Sequence, residues 1–396
     1  MTRPLDGIRV LELGQLIAGP FAAKMLAEFG AEVIKIEPPI KGDPLRQWRL
    51  IHDGTSVWWQ VQSRNKKSVT LDLRKPEAQE VVRQLVKDAD VVIENFKPGT
   101  MEGWGLGWED LKAINPKLVM LRVSGYGQTG PYRDLPGFGV VGEAMGGLRH
   151  LSGEPGRTPV RVGISIGDSL SALHGVIGIL LALRARDRHD GTGQMIDVAL
   201  YESVFNMMES LLPEYSVFNE IRQAAGSSLP GIAPSNAYRC KDDKFVLIAG
   251  NGDSIFKRLM TVIGREDLAS DPALESNIGR VRHVARIDDG ISQWTAGHDL
   301  DVVLCALNEQ RIPAGKIYDI EDIAHDPHYQ ARGMILDSSL PDGTPIKLPG
   351  IVPKLSETPG EIRSVAPTLG EHTDEVLSGL GIDSLTRGIW RERGII

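Results

Sequence analysis

Ile8-Arg-Val-Leu-Glu-Leu13, then Phe21-Ala-Ala-Lys-Met-Leu-Ala-Glu-Phe29, then Gly30 and Ala31-Glu-Val-Ile-Lys-Ile36. The first run is short, apolar and rich in branched residues, as a buried strand should be. The second has helical spacing and helix-forming residues, and Gly30 stops it. The third is a second strand, broken by Pro38-Pro39. Strand, helix and strand within about thirty residues make a βαβ unit, and such a unit implies parallel pairing.

The pattern continues outward. Ser68 to Leu73 reads as a strand, and Pro76 is well placed as a first helical residue. Asp90 to Asn95 and Leu118 to Val123 are further strands. An alternating run from Val160 reads as one more strand, ending where a helix from about Asp168 to Arg188 begins. That helix is apolar on nearly every side, which predicts burial all round. Met195 to Ala199 is a strand, and a helix follows from Tyr201. The fold class expected is α/β, with a Rossmann-like doubly wound large domain. Ala224 to Gly231 is turn-rich and reads as a linker. The domains expected are 1–223, a smaller α+β domain over 224–330 that includes the strand Lys244 to Ala249, and a segment 331–396 that returns to the large domain. Asp342-Gly343 between apolar stretches marks a hairpin in that segment.

The chain has 396 residues, with 44 Lys and Arg against 52 Asp and Glu, a formal charge of −8. That balance argues against nucleic acid as a partner, since phosphate binding wants a basic surface. It leaves room for an anionic small molecule held by a few cations and helix N-termini. Cys240 and Cys305 stand far apart and form no zinc or redox pair. No apolar run follows the charged start, so no signal peptide is expected. The longest unbroken apolar stretch, Val176 to Leu183, is too short for a membrane span. A cytoplasmic enzyme without a metal is the class these numbers leave.

Three stretches carry candidate chemistry. Gly14 to Gly19 has four residues between its glycines and misses the G-x-G-x-x-G dinucleotide fingerprint. Gly163-Ile-Ser-Ile-Gly167 matches the G-x-S-x-G elbow of serine hydrolases. Ser165 is flanked there by Ile164 and Ile166, where a strained turn would favour small neighbours. Asp168 stands at the mouth of the long helix. It is either a helix cap or an ionised carboxylate poised as a nucleophile. Pattern alone leaves both readings open. His325-Asp-Pro-His328 could suggest a metal, but it begins at a turn and reads as helix capping.

Over nearly its whole length the chain resembles a known family. The motifs that carry the resemblance are, in order, Leu5-Asp-Gly-Ile-Arg-Val-Leu11, Ala18-Gly-Pro20, Gly30-Ala-Glu-Val-Ile-Lys-Ile-Glu37 and Asn65-Lys-Lys-Ser68. Glu94-Asn-Phe-Lys-Pro-Gly99, Gly105-Leu-Gly107, Gly125-Tyr-Gly127, Gly167-Asp-Ser169, Ile312-Pro-Ala-Gly315 and Leu369-Gly-Glu-His-Thr373 follow. This ordered set is similar to that of the family III CoA-transferases, which include formyl-CoA transferase and the carnitine CoA-transferase. The resemblance implies that Asp168 attacks an acyl-CoA and passes through an anhydride to an aspartyl-CoA thioester. Coenzyme A is then a substrate, with no tightly bound cofactor. It also implies an interlocked homodimer, acyl-CoA and a small carboxylic acid as partners, and no membrane.

By position, the resemblance makes Ala18, Leu71, Arg74, Asn95, Phe96 and Lys97 CoA contacts. It places Ile17, Trp48, Trp58, Phe138, Gly250, Asn251 and Gly252 around the substrate. Pro38, Gly103 and Pro136 stand where formyl-CoA transferase has cations, and Ile17 replaces a pocket glutamine. Trp58 and Phe138 replace tyrosines. These differences turn expectation away from oxalate or formate and toward a short-chain acid, a dicarboxylate above all, with Arg157 and Arg161 as candidates for its second carboxylate. Three other functions compete. A racemase of α-methylacyl-CoA needs a histidine where Phe138 stands, a thioesterase would use Ser165, and a CoA-binding protein would show no turnover.

Overall fold

A computed structural model describes residues 3–396. Six strands form one parallel sheet: β1 (Arg9–Glu12), β2 (Glu32–Glu37), β3 (Lys66–Thr70), β4 (Val91–Glu94), β5 (Val119–Ser124) and β6 (Met195–Ala199). Their order across the sheet is β3-β2-β1-β4-β5-β6. Registers such as Leu11 against Ile34 on one side and Val92 on the other keep every pairing parallel. The chain works outward from β1 in one direction, then returns and works outward from β4 in the other. The reversal opens a crevice beyond the carboxyl ends of β1 and β4, where doubly wound sheets bind ligands.

Both sheet faces are covered. Helix α1 (Ala18–Glu28) buries Ala18, Ala22, Ala23 and Ala27 on one face, small residues that let it lie close to the strands. Helix α2 (Pro76–Val86) starts at its proline and buries Ala78, Val81, Val82 and Leu85 on the other. Two more helices, α3 (Gly139–Met145) and α4 (Ile166–Arg188), lie on the α1 side, and α5 (Leu200–Phe205) leaves the end of β6. Glycines set α4 on the sheet. A Cβ at Gly175 would come within 2.6 Å of Leu121, and one at Gly178 within 2.8 Å of Ile196.

Two expectations about this region need correction. Residues 160–165 form no strand, and α4 begins at Ile166, so Asp168 is its third residue. Val160, Val162 and Ile164 are all exposed, so their alternation had no apolar face to bury. Nor is α4 buried on every side. Gly167, Ser171, Gly175, Val176, Ile179, Ala182 and Leu183 face inward, while Leu173, Ile177, Leu180 and Leu181 are 39% to 65% exposed. At 23 residues α4 is long and apolar enough to cross a membrane by those measures alone, though its inward face packs on the sheet.

The chain divides into two compact units. The first gathers residues up to 149, 162–219 and 330–396, and the second holds 150–161 and 220–329. In the second, β7 (Ser235–Arg239), β8 (Phe245–Ala249) and β9 (Ala314–Lys316) form an antiparallel sheet with β8 in the middle. Helices α6 (Asp253–Val262), α7 (Val284–Ala296) and α8 (Leu300–Glu309) cover it around Val246, Ile248, Phe256, Leu259, Ile287 and Val303. The end of the chain belongs to the first unit. The hairpin of β10 (Ile335–Ser339) and β11 (Pro345–Pro349) turns at Asp342-Gly343. Helix α9 (Thr373–Gly379) then lies along β3, where the Thr70 amide donates to Thr373 Oγ1 at 2.9 Å, and α10 (Ser384–Glu392) packs on α9. Beyond β3 the Asp72 amide donates to the Ile395 carbonyl at 2.8 Å.

Candidate active site

The crevice at the sheet reversal holds a cavity of about 420 Å3. Its walls come from the ends of β1 (Gln15, Leu16, Ala18), β4 (Asn95, Phe96, Lys97) and β5 (Ser124, Gly125), from the loop carrying Arg133 and Phe138, and from Asp168. A second cavity of about 500 Å3 shares Gln15 and Phe96 with the first and runs past Pro38, Leu71, Arg74 and Trp104. The Phe96 ring stands edge-on to Trp104 at 5.3 Å between the two spaces.

The turn after β1 is held by buried charge. Lys35 Nζ donates to Glu12 and to the Gly14 carbonyl, both at 2.8 Å, and pairs with Asp43 at 2.8 Å. Burial alone would push the Lys35 pKa down, but the surrounding carboxylates outweigh it and hold the ammonium above its ordinary value. Burial likewise disfavours the Asp43 carboxylate, yet Lys35 and the backbone N–H groups of Leu45 and Leu16 keep its pKa below the usual one. Through this network Asp43 accepts from the Leu16 amide at 3.0 Å. Leu16 has φ +64°, a left-handed conformation that costs a leucine about 1 kcal/mol. An ion pair with no exposed side chain therefore fixes a strained residue in the cavity wall.

Asn95 joins the two strands at the reversal. Its Oδ1 accepts from the Gln15 amide at 2.7 Å and its Nδ2 donates to the Gln15 carbonyl at 2.8 Å. A Cβ at Gly14 would come within 2.9 Å of that Asn95 oxygen, so this glycine makes room for the bridge. Next to it, Glu94 accepts from the Phe96 amide and from Arg122 Nε, both at 2.7 Å. Burial raises the Glu94 pKa to about 6. Arg122 and the Phe96 amide offset only part of the burial, and the nearby Glu102 charge adds to the rise.

The nucleophile candidate is placed by a glycine. The carboxylate of Asp168 lies so close to Gly139 that a Cβ there would be 2.1 Å from Oδ2. Gly139 follows a backbone crossing in which Gly125 and Gly137 pack so tightly that a Cβ on either would meet the other's Cα at 2.8 Å. In the turn after β5 the Gln128 amide donates to Asp197 at 2.8 Å. These contacts set one wall of the cavity against the first turn of α4, whose backbone dipole favours a carboxylate there.

Several residues singled out in the sequence come together here. Ala18, Asn95, Phe96, Lys97, Phe138 and Asp168 line the first cavity; Leu71, Arg74 and Phe96 line the second. Arg74 is exposed and holds Asp72 through two contacts of 2.8 and 2.9 Å. Lys97 makes no ion pair among the described residues. Others lie elsewhere. Ile17 is buried, with its carbonyl accepting from Gln62 at 3.1 Å, and lines neither cavity. Trp48 and Trp58 pack on each other at 6.4 Å, also outside both. Gly250, Asn251 and Gly252 belong to the second unit, where the Asn251 carbonyl accepts from Arg280 at 2.7 Å. Ser165 sits just before α4 and lines neither cavity. Asp326 caps the helix after it, accepting the amides of His328 and Tyr329 at 2.8 and 3.0 Å. The reading of the sequence passed over Gln15, Leu16, Asp43, Arg133 and Gly139. Only Asp43, before Pro44, carried a local sign, that of an acid capping a turn.

Residues 5–373 match the family model for CoA-transferase family III. The chain belongs to that family. Succinyl-CoA–D-citramalate CoA-transferase of Chloroflexus aurantiacus is 50% identical over 379 residues, covering 96% of this chain and 94% of the relative. The beta subunit of succinyl-CoA–L-malate CoA-transferase from the same organism is 45% identical, covering 95% and 94%. The crystal structure of a CAIB/BAIF family protein from Brucella suis superposes with a TM-score of 0.85 at 35% identity, covering 96% of this chain and 100% of that one. The protein is thus a CoA-transferase, with CoA thioesters as substrates.

Proposed function

We propose that this family III enzyme moves CoA between succinyl-CoA, or a similar acyl-CoA, and a short dicarboxylic acid, with Asp168 as the nucleophile. The observation that carries the reading is the Asp168 carboxylate in the wall of the crevice where a doubly wound sheet binds its ligand. Support for the substrate class comes from the relatives, whose names pair succinyl-CoA with citramalate or malate, both dicarboxylic acids. CoA lies along the paired cavities, its nucleotide near Arg74 and Leu71, its pantetheine arm past Phe96, Lys97 and Ala18, and its sulfur toward Asp168. Asn95, whose amide is fully engaged with Gln15, acts by holding the crevice open.

An Asp168 oxygen attacks the thioester carbonyl, the C–S bond breaks, and CoA leaves as a thiolate. The thiolate then attacks the aspartyl carbonyl of the mixed anhydride, which releases the donor acid and forms an aspartyl-CoA thioester. The acceptor carboxylate attacks that thioester and expels the thiolate again. Attack of the thiolate on the acceptor's acyl carbonyl makes the new acyl-CoA and frees Asp168. Each covalent step exchanges one activated carbonyl for another, the general gain of nucleophilic catalysis. The exposed apolar face of α4 supports a further reading, that the working form is a homodimer which covers it.

The test is to mix the enzyme with succinyl-CoA, quench, digest and weigh the Asp168 peptide. A CoA-sized adduct that hydroxylamine removes is the expected result. Asp168→Ala abolishes exchange, while Ser165→Ala keeps most of it. An acyl group on Ser165 would make the enzyme a hydrolase and overturn the proposal.

A further inference from the structure

Arg133 is a cation in the wall of the cavity that holds Asp168. Its guanidinium is uncommitted. Among the described residues its side chain makes no hydrogen bond, and its sole ion pair is a 3.6 Å approach to the neighbouring, well-exposed Asp134. Arg74, the arginine of the second cavity, is by contrast engaged with Asp72 at 2.8 Å. The Arg133 side chain is 47% exposed, and the loop that carries it is anchored on both sides. Tyr132 before it stands edge-on to Tyr126 at 6.0 Å, and Gly137 after it is locked against Gly125. Two residues further on, Gly139 touches the Asp168 carboxylate.

The cavity's other cation, Lys97, adjoins Phe96, where the two cavities meet. Lys97 thus lies on the path toward the second cavity, whereas Arg133 lies on the loop that leads to the nucleophile. A planar fork of donors is also the better match for a carboxylate, which it can bind through two parallel hydrogen bonds.

We infer that Arg133 receives the distal carboxylate of the dicarboxylic acid, so that the near carboxyl group meets Asp168. This rests on the dicarboxylate reading above. An acid with one carboxyl group leaves the guanidinium without its partner, and Arg133 selects against it.

Isotope-labelled succinate and butyrate, equal in carbon count, are compared as acceptors with saturating unlabelled succinyl-CoA as donor, and free CoA is used as an inhibitor. The wild-type enzyme favours succinate. Arg133→Gln raises the KM for succinate about ten- to a hundredfold, the value of a charge-assisted hydrogen bond. It leaves butyrate turnover and inhibition by CoA within about threefold, and Arg133→Lys recovers part of the loss. Equal losses for succinate and butyrate, or a matching loss of CoA inhibition that marks a phosphate contact, overturn the inference. A wild-type enzyme that uses both acids equally defeats the dicarboxylate reading itself, a result that needs no variant and is thereby told apart.

Discussion

Gly139→Ala separates the position of Asp168, the proposed nucleophile, from the stability of the fold. The new Cβ would lie 2.1 Å from Asp168 Oδ2, where ordinary contact begins near 3.4 Å. One group must therefore retreat by about 1.3 Å, and the three nearest atoms all belong to Asp168. A short side chain turns aside more readily than a helix packed on α5 shifts, so the carboxylate moves. Gly139 is the first residue of α3, and alanine favours helix over glycine by up to about 1 kcal/mol. The melting temperature should hold or rise slightly. A displacement of about 1 Å at the reacting atom costs on the order of a hundredfold in rate. We expect kcat for CoA exchange to fall about that far, with KM for acyl-CoA little changed, since the second cavity is untouched. Steady-state kinetics beside differential scanning calorimetry reads both quantities. Activity within threefold of wild type would show that the Asp168–Gly139 contact does not set the working geometry. A fall of many degrees in melting temperature would show that the strain enters the fold instead.

Glu94 gives stability a pH dependence. Its folded pKa of about 6 lies above the ordinary 4.5. Between those values the folded state keeps a proton that the unfolded chain has lost, so this contribution is present at low pH and is lost as pH rises through the window. The difference is roughly 2 kcal/mol. Glu94→Gln should remove that slope, so urea unfolding at pH 4.5 and pH 7 shows the variant gaining on wild type at the higher pH; a constant offset counts against it. Leu181→Glu places a charge on the exposed face of α4 and should turn a homodimer into monomer or aggregate by light scattering. A wild-type monomer, or a variant dimer of unchanged stability, refutes the self-association reading.

The central sheet was legible because each strand is a short apolar run bounded by turn residues, from Ile8 to Leu13 through Met195 to Ala199. The second sheet was harder. Of β7 only Tyr238 is fully buried, and β9 is three residues long, so neither shows a period. The alternation of Val160, Val162 and Ile164 misled because period two says nothing about whether a neighbouring strand exists. Asp168 stood out through the ordered motifs around it. Its contact with Gly139, 29 positions earlier, did not, since close approach across a crevice leaves no mark in local sequence. Nothing in the local sequence says that Lys35 and Asp43 pair, and only the fold shows that neither side chain reaches water.

The return of residues 330–396 to the first unit bears on the order in which the chain can assemble as it is made. Strand β3 meets Thr373, and the turn beyond it meets Ile395, some three hundred residues later. The second unit, most of it over 220–329, has its own core and leaves the ribosome whole before those partners exist. The later unit can therefore settle first, while the earlier one waits with the edge of β3 uncovered. A slow or interrupted end to synthesis would leave a protein whose Asp168 crevice has its strands, but whose sheet still presents an open border to any other extended chain.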